Sequence, residues 1–318
     1  MTEVNGTSGA SVDILQLFEL LESRPGRERL LPYLTHRHPS VRQTAVDVVA
    51  ELRPPWGFDA LCLALLDASE GVRMAAVEGL RALHPLLPDQ PQLFDFLQQA
   101  LDSPTPAARE VAVRLLRRTS DASTTTYLPV TRDVEPRVRI EAIRALVDHH
   151  AVPEVGAIAT DPEPQVRGEV AKALGQLADT RGLEPLVRLA RDSEPSVRAV
   201  AVAALPSLRP RGLGEETLLE AAGDDVAEVR TAAAVALAQS GVDVALAALL
   251  RLASDPSAEV RQSAVSALAA RGAGSPAVWD AMVEAAVDAD ARVRAIARSA
   301  LRRHLAVLPS NQTQSAAG

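Results

Sequence analysis

The sequence predicts an all-α protein, a right-handed α-solenoid (superhelix) of about nine helix pairs. Three observations carry that prediction. A motif returns every 28 to 36 residues along most of the 318-residue chain. Each copy of it reads as helix, short turn, helix. The composition fits a thin core, since 47 % of residues are hydrophobic and only 3 % are aromatic. A large two-layer globule fills its centre with rings, whereas stacked helix pairs bury small aliphatics against a neighbour on either side.

The period is marked by Val-Arg. Arg42, Arg73, Arg139, Arg167, Arg198, Arg230, Arg261 and Arg294 each follow a valine, and Arg109 after Ala108 fills the gap. Successive spacings are 31, 36, 30, 28, 31, 32, 31 and 33 residues. An acidic residue stands six positions before most of these arginines: Asp67, Asp133, Asp161, Asp192, Asp224, Asp255 and Asp288. Asp102 stands seven before Arg109, and the first unit has His36 at this place.

Each unit has the same internal grammar. In Gly182–Pro206, Leu183, Leu186, Val187 and Ala190 form one apolar stripe at helical spacing. Asp192 to Ser196 is a turn with a proline at the start of the next helix. Val197, Ala201, Ala204 and Leu205 then mark a second stripe at 0, +4, +7 and +8 counted from the valine. In chain order, residues 1–11 are expected to be disordered and Val12 to Glu22 to form a capping helix. Nine pairs follow to about Leu305, so that 12–305 is one continuous solenoid, and 306–318 are expected to be a disordered polar tail. Repeat four has an irregular first helix, Ser123 to Arg132. The 36-residue spacing before Arg109 implies a longer connection around His84 to Gln92 and a bend in the stack there.

The Asp–Pro turn and the V-R-x-x-A-x-x-A-L signature, as in Val260-Arg261, Ala264 and Ala267-Leu268, resemble HEAT repeats of the short variety found in phycobilin lyases. The resemblance spans roughly residues 25 to 305. It implies that the repeated acids and arginines form a hydrogen-bonded ladder between repeats: Asp67, Arg73, Asp133, Arg139, Asp161, Arg167, Asp192, Arg198, Asp224, Arg230, Asp255, Arg261, Asp288 and Arg294. It also implies that the second helices line a concave face, the usual binding face of solenoids.

Several function classes are disfavoured. The net charge is −8 with a pI of about 5.4, whereas a nucleic-acid or membrane-surface binder leans basic. One cysteine, Cys62, allows neither a disulfide framework nor a Cys-based zinc site. It lies in an apolar helix and reads as a buried small hydrophobe. The N-terminus has no signal-peptide pattern, and no apolar run spans a membrane. A cytoplasmic protein of a GC-rich bacterial host is expected, the latter because lysine occurs once against 32 arginines. Six histidines form no ligand pattern: adjacent His149 and His150 point about 100° apart on a helix, and His36 and His38 flank Arg37. Some HEAT-like enzymes carry repeated His-Glu dipeptides, and none occurs here. No catalytic residue, metal or cofactor is therefore assigned.

Positions +2, +3 and +6 of each second helix point away from the 0, +4, +7, +8 core. They give Gln43, Thr44 and Asp47, then Met74, Ala75 and Glu78, then Glu110, Val111 and Arg114. Repeat four gives Ile140, Glu141 and Arg144, and repeat five gives Gly168, Glu169 and Lys172. Charge then disappears: Ala199, Val200 and Ala203; Thr231, Ala232 and Val235; Gln262, Ser263 and Ser266; Ala295, Ile296 and Ser299. The expected function is a non-catalytic scaffold or adaptor. Its apolar repeats six to nine hold a segment of another protein or peptide, and repeats two to five orient it by charge. The alternatives are an enzyme or lyase accessory holding a small molecule in the groove, and a HEAT-like nucleic-acid binder.

Overall fold

The computed structural model describes residues 4–83, 94–209, 212–240, 245–271 and 275–307. No strand occurs among them. The chain divides into two compact units, Met1–His149 and His150–Gly318. The long connection expected at His84–Gln92 and the tail from residue 308 lie outside the described residues.

The N-terminal unit contains α1 (Val4–Ser23), α2 (Arg27–Leu34), α3 (Pro39–Leu52), α4 (Gly57–Ala64), α5 (Glu70–Leu83), α6 (Phe94–Ala100), α7 (Pro106–Leu116), α8 (Thr124–Tyr127) and α9 (Pro136–Asp148). The C-terminal unit contains α10 (Val152–Ala157), α11 (Pro164–Leu177), α12 (Leu183–Leu189), α13 (Pro195–Ala204), α14 (Leu213–Ala221), α15 (Ala227–Ser240), α16 (Ala245–Leu252), α17 (Ala258–Arg271), α18 (Pro276–Ala285) and α19 (Ala291–Val307). The first helix begins at Val4, earlier than the Val12 expected from its apolar spacing, and the last runs through Val307. Repeat four is the irregular one. Its first helix is the single turn α8, closed by a Ser123 capping box and followed by a 3-10 turn, Pro129–Arg132.

The packing is the same in both units. Second helices lie side by side in one layer, α3 on α5, α5 on α7 and α7 on α9 in the first unit, and α11 through α19 in the second. Each carries the first helix of its own pair on its other side. Prolines at the first turn start α3, α7, α9, α11, α13 and α18, where the missing N–H has no intrahelical acceptor to lose. Arg53, Ala178 and Arg209 stop their helical segments in the left-handed region, at φ of 47°, 51° and 49°.

Positions 0, +4, +7 and +8 are buried, as at Val197, Ala201, Ala204 and Leu205. Position +5 is buried too, and sequence spacing missed it. Val46, Val77, Val113, Ile143, Ala171, Val202, Ala234 and Val265 occupy it in the first eight repeats. The helices of one layer approach closely where side chains are smallest. A Cβ on Gly175 would stand 2.8 Å from the Cβ of Ala204, and one on Gly79 would stand 2.8 Å from that of Ala50.

Candidate functional site

The turns at the edge of each unit carry the ladder residues. Each arginine works in two directions. Its Nη1 donates to the carbonyl six residues earlier, closing its own turn, as Arg198 does to Asp192 at 2.9 Å. Its Nε and Nη2 donate as a fork to the carboxylate of the next repeat. Arg42 meets Asp67 at 2.7 and 2.8 Å, and Arg109 meets Asp133 at 2.7 Å twice. In the C-terminal unit Arg167 holds Asp192, Arg198 holds Asp224, Arg230 holds Asp255 and Arg261 holds Asp288. Each acid also accepts a backbone N–H two residues on, which locks the turn, as Asp192 does from Glu194 at 2.9 Å. The six paired acids sit below the usual carboxylate range. At Asp224, Asp255 and Asp288 the guanidinium hydrogen bond is the largest cause. At Asp67, Asp133 and Asp192 burial is the largest influence and opposes ionisation, but the guanidinium and backbone donors together outweigh it.

Two ladder arginines depart from this form. Arg73 donates Nε to the Thr105 hydroxyl instead of a carboxylate. Asp102, one position out of step, is exposed, and Ser103 with Thr105 takes over the turn. Arg294 closes its own turn on the carbonyls of Asp288 and Ala289 at 2.7 and 2.8 Å. Arg139 likewise closes its turn on the Asp133 carbonyl at 2.7 Å, and Asp161 accepts the Glu163 N–H.

On the outer side of the second-helix layer the two units differ. In the N-terminal unit Ala75, Val111 and Glu141 at +3 are buried, which corrects the outward assignment of that position. Glu141 is only 4 % exposed and gathers three arginines: Arg144 at 2.8 Å, Arg114 at 3.2 Å and Arg117 at 3.6 Å. Arg114 also binds Glu110 at 2.6 Å, Arg81 reaches Glu110 at 3.3 Å, and Arg117 holds Asp148 at 2.7 Å. These charges, expected to orient a partner, are spent on one another across α5, α7 and α9. Met74 and Ile140 are half-buried beside them, and Glu78 is exposed. Burial, then the nearby Glu78 charge, raises the Asp47 carboxyl.

In the C-terminal unit the +2, +3 and +6 positions of α13, α15, α17 and α19 carry no charged residue. Val200 on α13 is 37 % exposed and Val235 on the adjacent α15 is 44 % exposed. Ala203, also on α13, is exposed, while Ala199 at +2 is buried. Thr231 turns its hydroxyl back onto the Ala227 carbonyl at 2.8 Å. Gln262 and Ile296 are half-buried, Lys172 is exposed and Glu169 is half-buried.

The remaining reactive groups serve packing. Cys62 is buried and burial pushes its thiol pKa up, away from nucleophilic character. Tyr127 is fully buried with its hydroxyl unpartnered, its ring 5.6 Å from that of His149. His36 receives the His38 N–H on Nδ1 and faces Asp13 at 3.4 Å. Among the described residues no group of three or more His, Cys, Asp or Glu converges, and no helix is long and apolar enough to cross a membrane.

Nine helix pairs sharing one ladder and one apolar register define an all-α repeat solenoid, with its variable chemistry on the second-helix face. The family model for HEAT repeats matches residues 27–117, 124–206 and 215–302, and the chain belongs to that family. The match is to HEAT repeats at large and does not single out the phycobilin-lyase variety. No curated protein matches the chain. Among solved structures it is similar to an engineered protein at 18 % identity and TM-score 0.54, covering 96 % of this chain and 97 % of that one. It is similar to Escherichia coli YibA at 18 % identity and TM-score 0.56, covering 85 % and 99 %. It is also similar to Kap95p in a complex with RanGDP, at 14 % identity and TM-score 0.66, covering 90 % of this chain and 46 % of Kap95p. At these identities the likeness is one of fold.

Proposed function

We propose that the protein is a scaffold or adaptor that binds a segment of another protein on the second-helix face of its C-terminal unit. The observation that carries this reading is the pair of exposed valines, Val200 and Val235, on the neighbouring helices α13 and α15, with exposed Ala203 on α13 and no charged residue at the outward positions of either helix. Small, uncharged side chains there leave apolar surface that a partner's aliphatic or aromatic residue covers. Kap95p, a structural neighbour, binds RanGDP, which gives this architecture a precedent for holding a protein. A phosphate-binding role is disfavoured because Arg114, Arg117 and Arg144, the densest cations of the N-terminal face, are already engaged by Glu110, Glu141 and Asp148.

The test is affinity capture with the native chain and with a Val200→Arg/Val235→Arg variant, both verified as folded by circular dichroism. A partner held by the native chain and lost by the variant supports the reading. A partner held equally by the folded variant sinks it.

A further inference from the structure

The two terminal helices present faces that no described residue covers. On α1, Ala10, Leu17 and Leu20 are buried against the unit. The opposite face exposes Val12, Leu15 and Phe18 at 52, 64 and 53 %, with exposed Glu19 and Glu22 on the same side. This helix carries three acids and no base.

The other end is basic. Helix α19 carries five arginines and no acid. Position +5, a buried aliphatic in eight repeats, is the exposed Arg298 in the ninth, with exposed Arg302 beside it. On the paired first helix, the residue five before the ladder acid is buried Val187 and half-buried Leu219 and Leu250 in the three preceding pairs of the same unit, but Val283 is 47 % exposed. Arg294 closes its own turn, and its forward edge, Nε and Nη2, meets no carboxylate among the described residues.

We infer that copies of this chain associate end to end, the α1 face of one copy seated on the α18–α19 end of a second. Arg298, which replaces the usual aliphatic and whose Nε also donates to the Ala286 carbonyl, and Arg302 beside it are matched to the acids of α1, and the apolar stripe of α1 covers Val283. An α1-to-α1 dimer would instead bring like charges together. An anionic membrane would repel α1 for the same reason. The contact joins two different surfaces, so it either closes into a ring of copies or continues as a chain.

Sedimentation of the full chain over a concentration series tests this. The native chain is expected to grow past the monomer mass, with weaker association at high salt. Glu19→Arg/Glu22→Arg and Arg298→Glu/Arg302→Glu variants should each associate at least about tenfold more weakly. Mixing the two variants should restore association, because each then meets an opposite charge. A native chain that stays monomeric at every concentration overturns the inference. So does association that survives both charge swaps, or a mixture of the two variants that fails to associate.

Discussion

The second-helix faces of the two units rest on the same ladder of turns, yet they treat the outward positions differently. In the N-terminal unit the +3 residues sink into the layer and the charges at +2 and +6 bind one another, so Glu141 holds Arg114, Arg117 and Arg144 in place. In the C-terminal unit the corresponding places hold Val200, Ala203 and Val235, which remain exposed. The comparison shows how a repeat fold separates its support from the chemistry of its faces. The ladder and the aliphatic register build the layer in every repeat. Whether a face is closed or available then depends on side chains that the register does not constrain.

The sharpest way to break this contrast is the same substitution at the same register position. Val111→Asp buries an unpaired carboxylate and should cost about 4 kcal/mol. Val200→Asp should stay within about 0.5 kcal/mol, since its side chain already meets water. Denaturant melts of both variants decide it, and equal costs would erase the distinction. Next in size, Glu141→Ala leaves three arginines facing one another and should cost about 2–3 kcal/mol, less than a fully buried pair because the arginines are partly solvated.

A smaller effect should be common to both units. Asp133→Asn and Asp192→Asn each lose the charge-assisted fork, at a cost of about 1–2 kcal/mol near neutral pH. The folded-state pKa of each acid is depressed, so its contribution is fully present above the unfolded value of about 4 and is lost as pH falls through the folded value. Thermal melts should therefore show the gap between native and Asn proteins closing below about pH 4. A gap that stays constant well below that pH, through the depressed range of the folded acids, would remove the linkage. The smallest change is Ala178→Gly at a left-handed helix end, expected to stabilise by about 0.5–1 kcal/mol in a urea titration.

Much of this was legible in the sequence because the repeat is periodic. The Val-Arg register and the acid six residues earlier place the turns, and the 0, +4, +7, +8 stripe is core. Position +5 escaped because a helix wheel assumes one buried face. A second helix with a neighbour on each side buries a wider arc, and the run of aliphatics at +5 was the available signal. The Glu110–Glu141 network escaped for another reason. Its links between helices join residues 24 to 31 apart, a distance set by helix-to-helix packing rather than by any single helix. Opposite charges recurring at +2, +3 and +6 in consecutive repeats were the trace it left. Thr105 left almost none, since nothing but a ladder acid one position out of step marks it.

That threonine has a consequence for how the N-terminal unit opens. A column of repeats unfolds as a line of locally coupled segments, and the coupling between neighbours decides whether they open together. Between α3 and α5 the coupling includes an ionic fork, and between α7 and α9 it does so again. Between α5 and α7 the ladder contributes one neutral hydroxyl. Amide exchange should therefore split the unit there, with α1 to α5 reaching a common opening free energy distinct from that of α7 to α9.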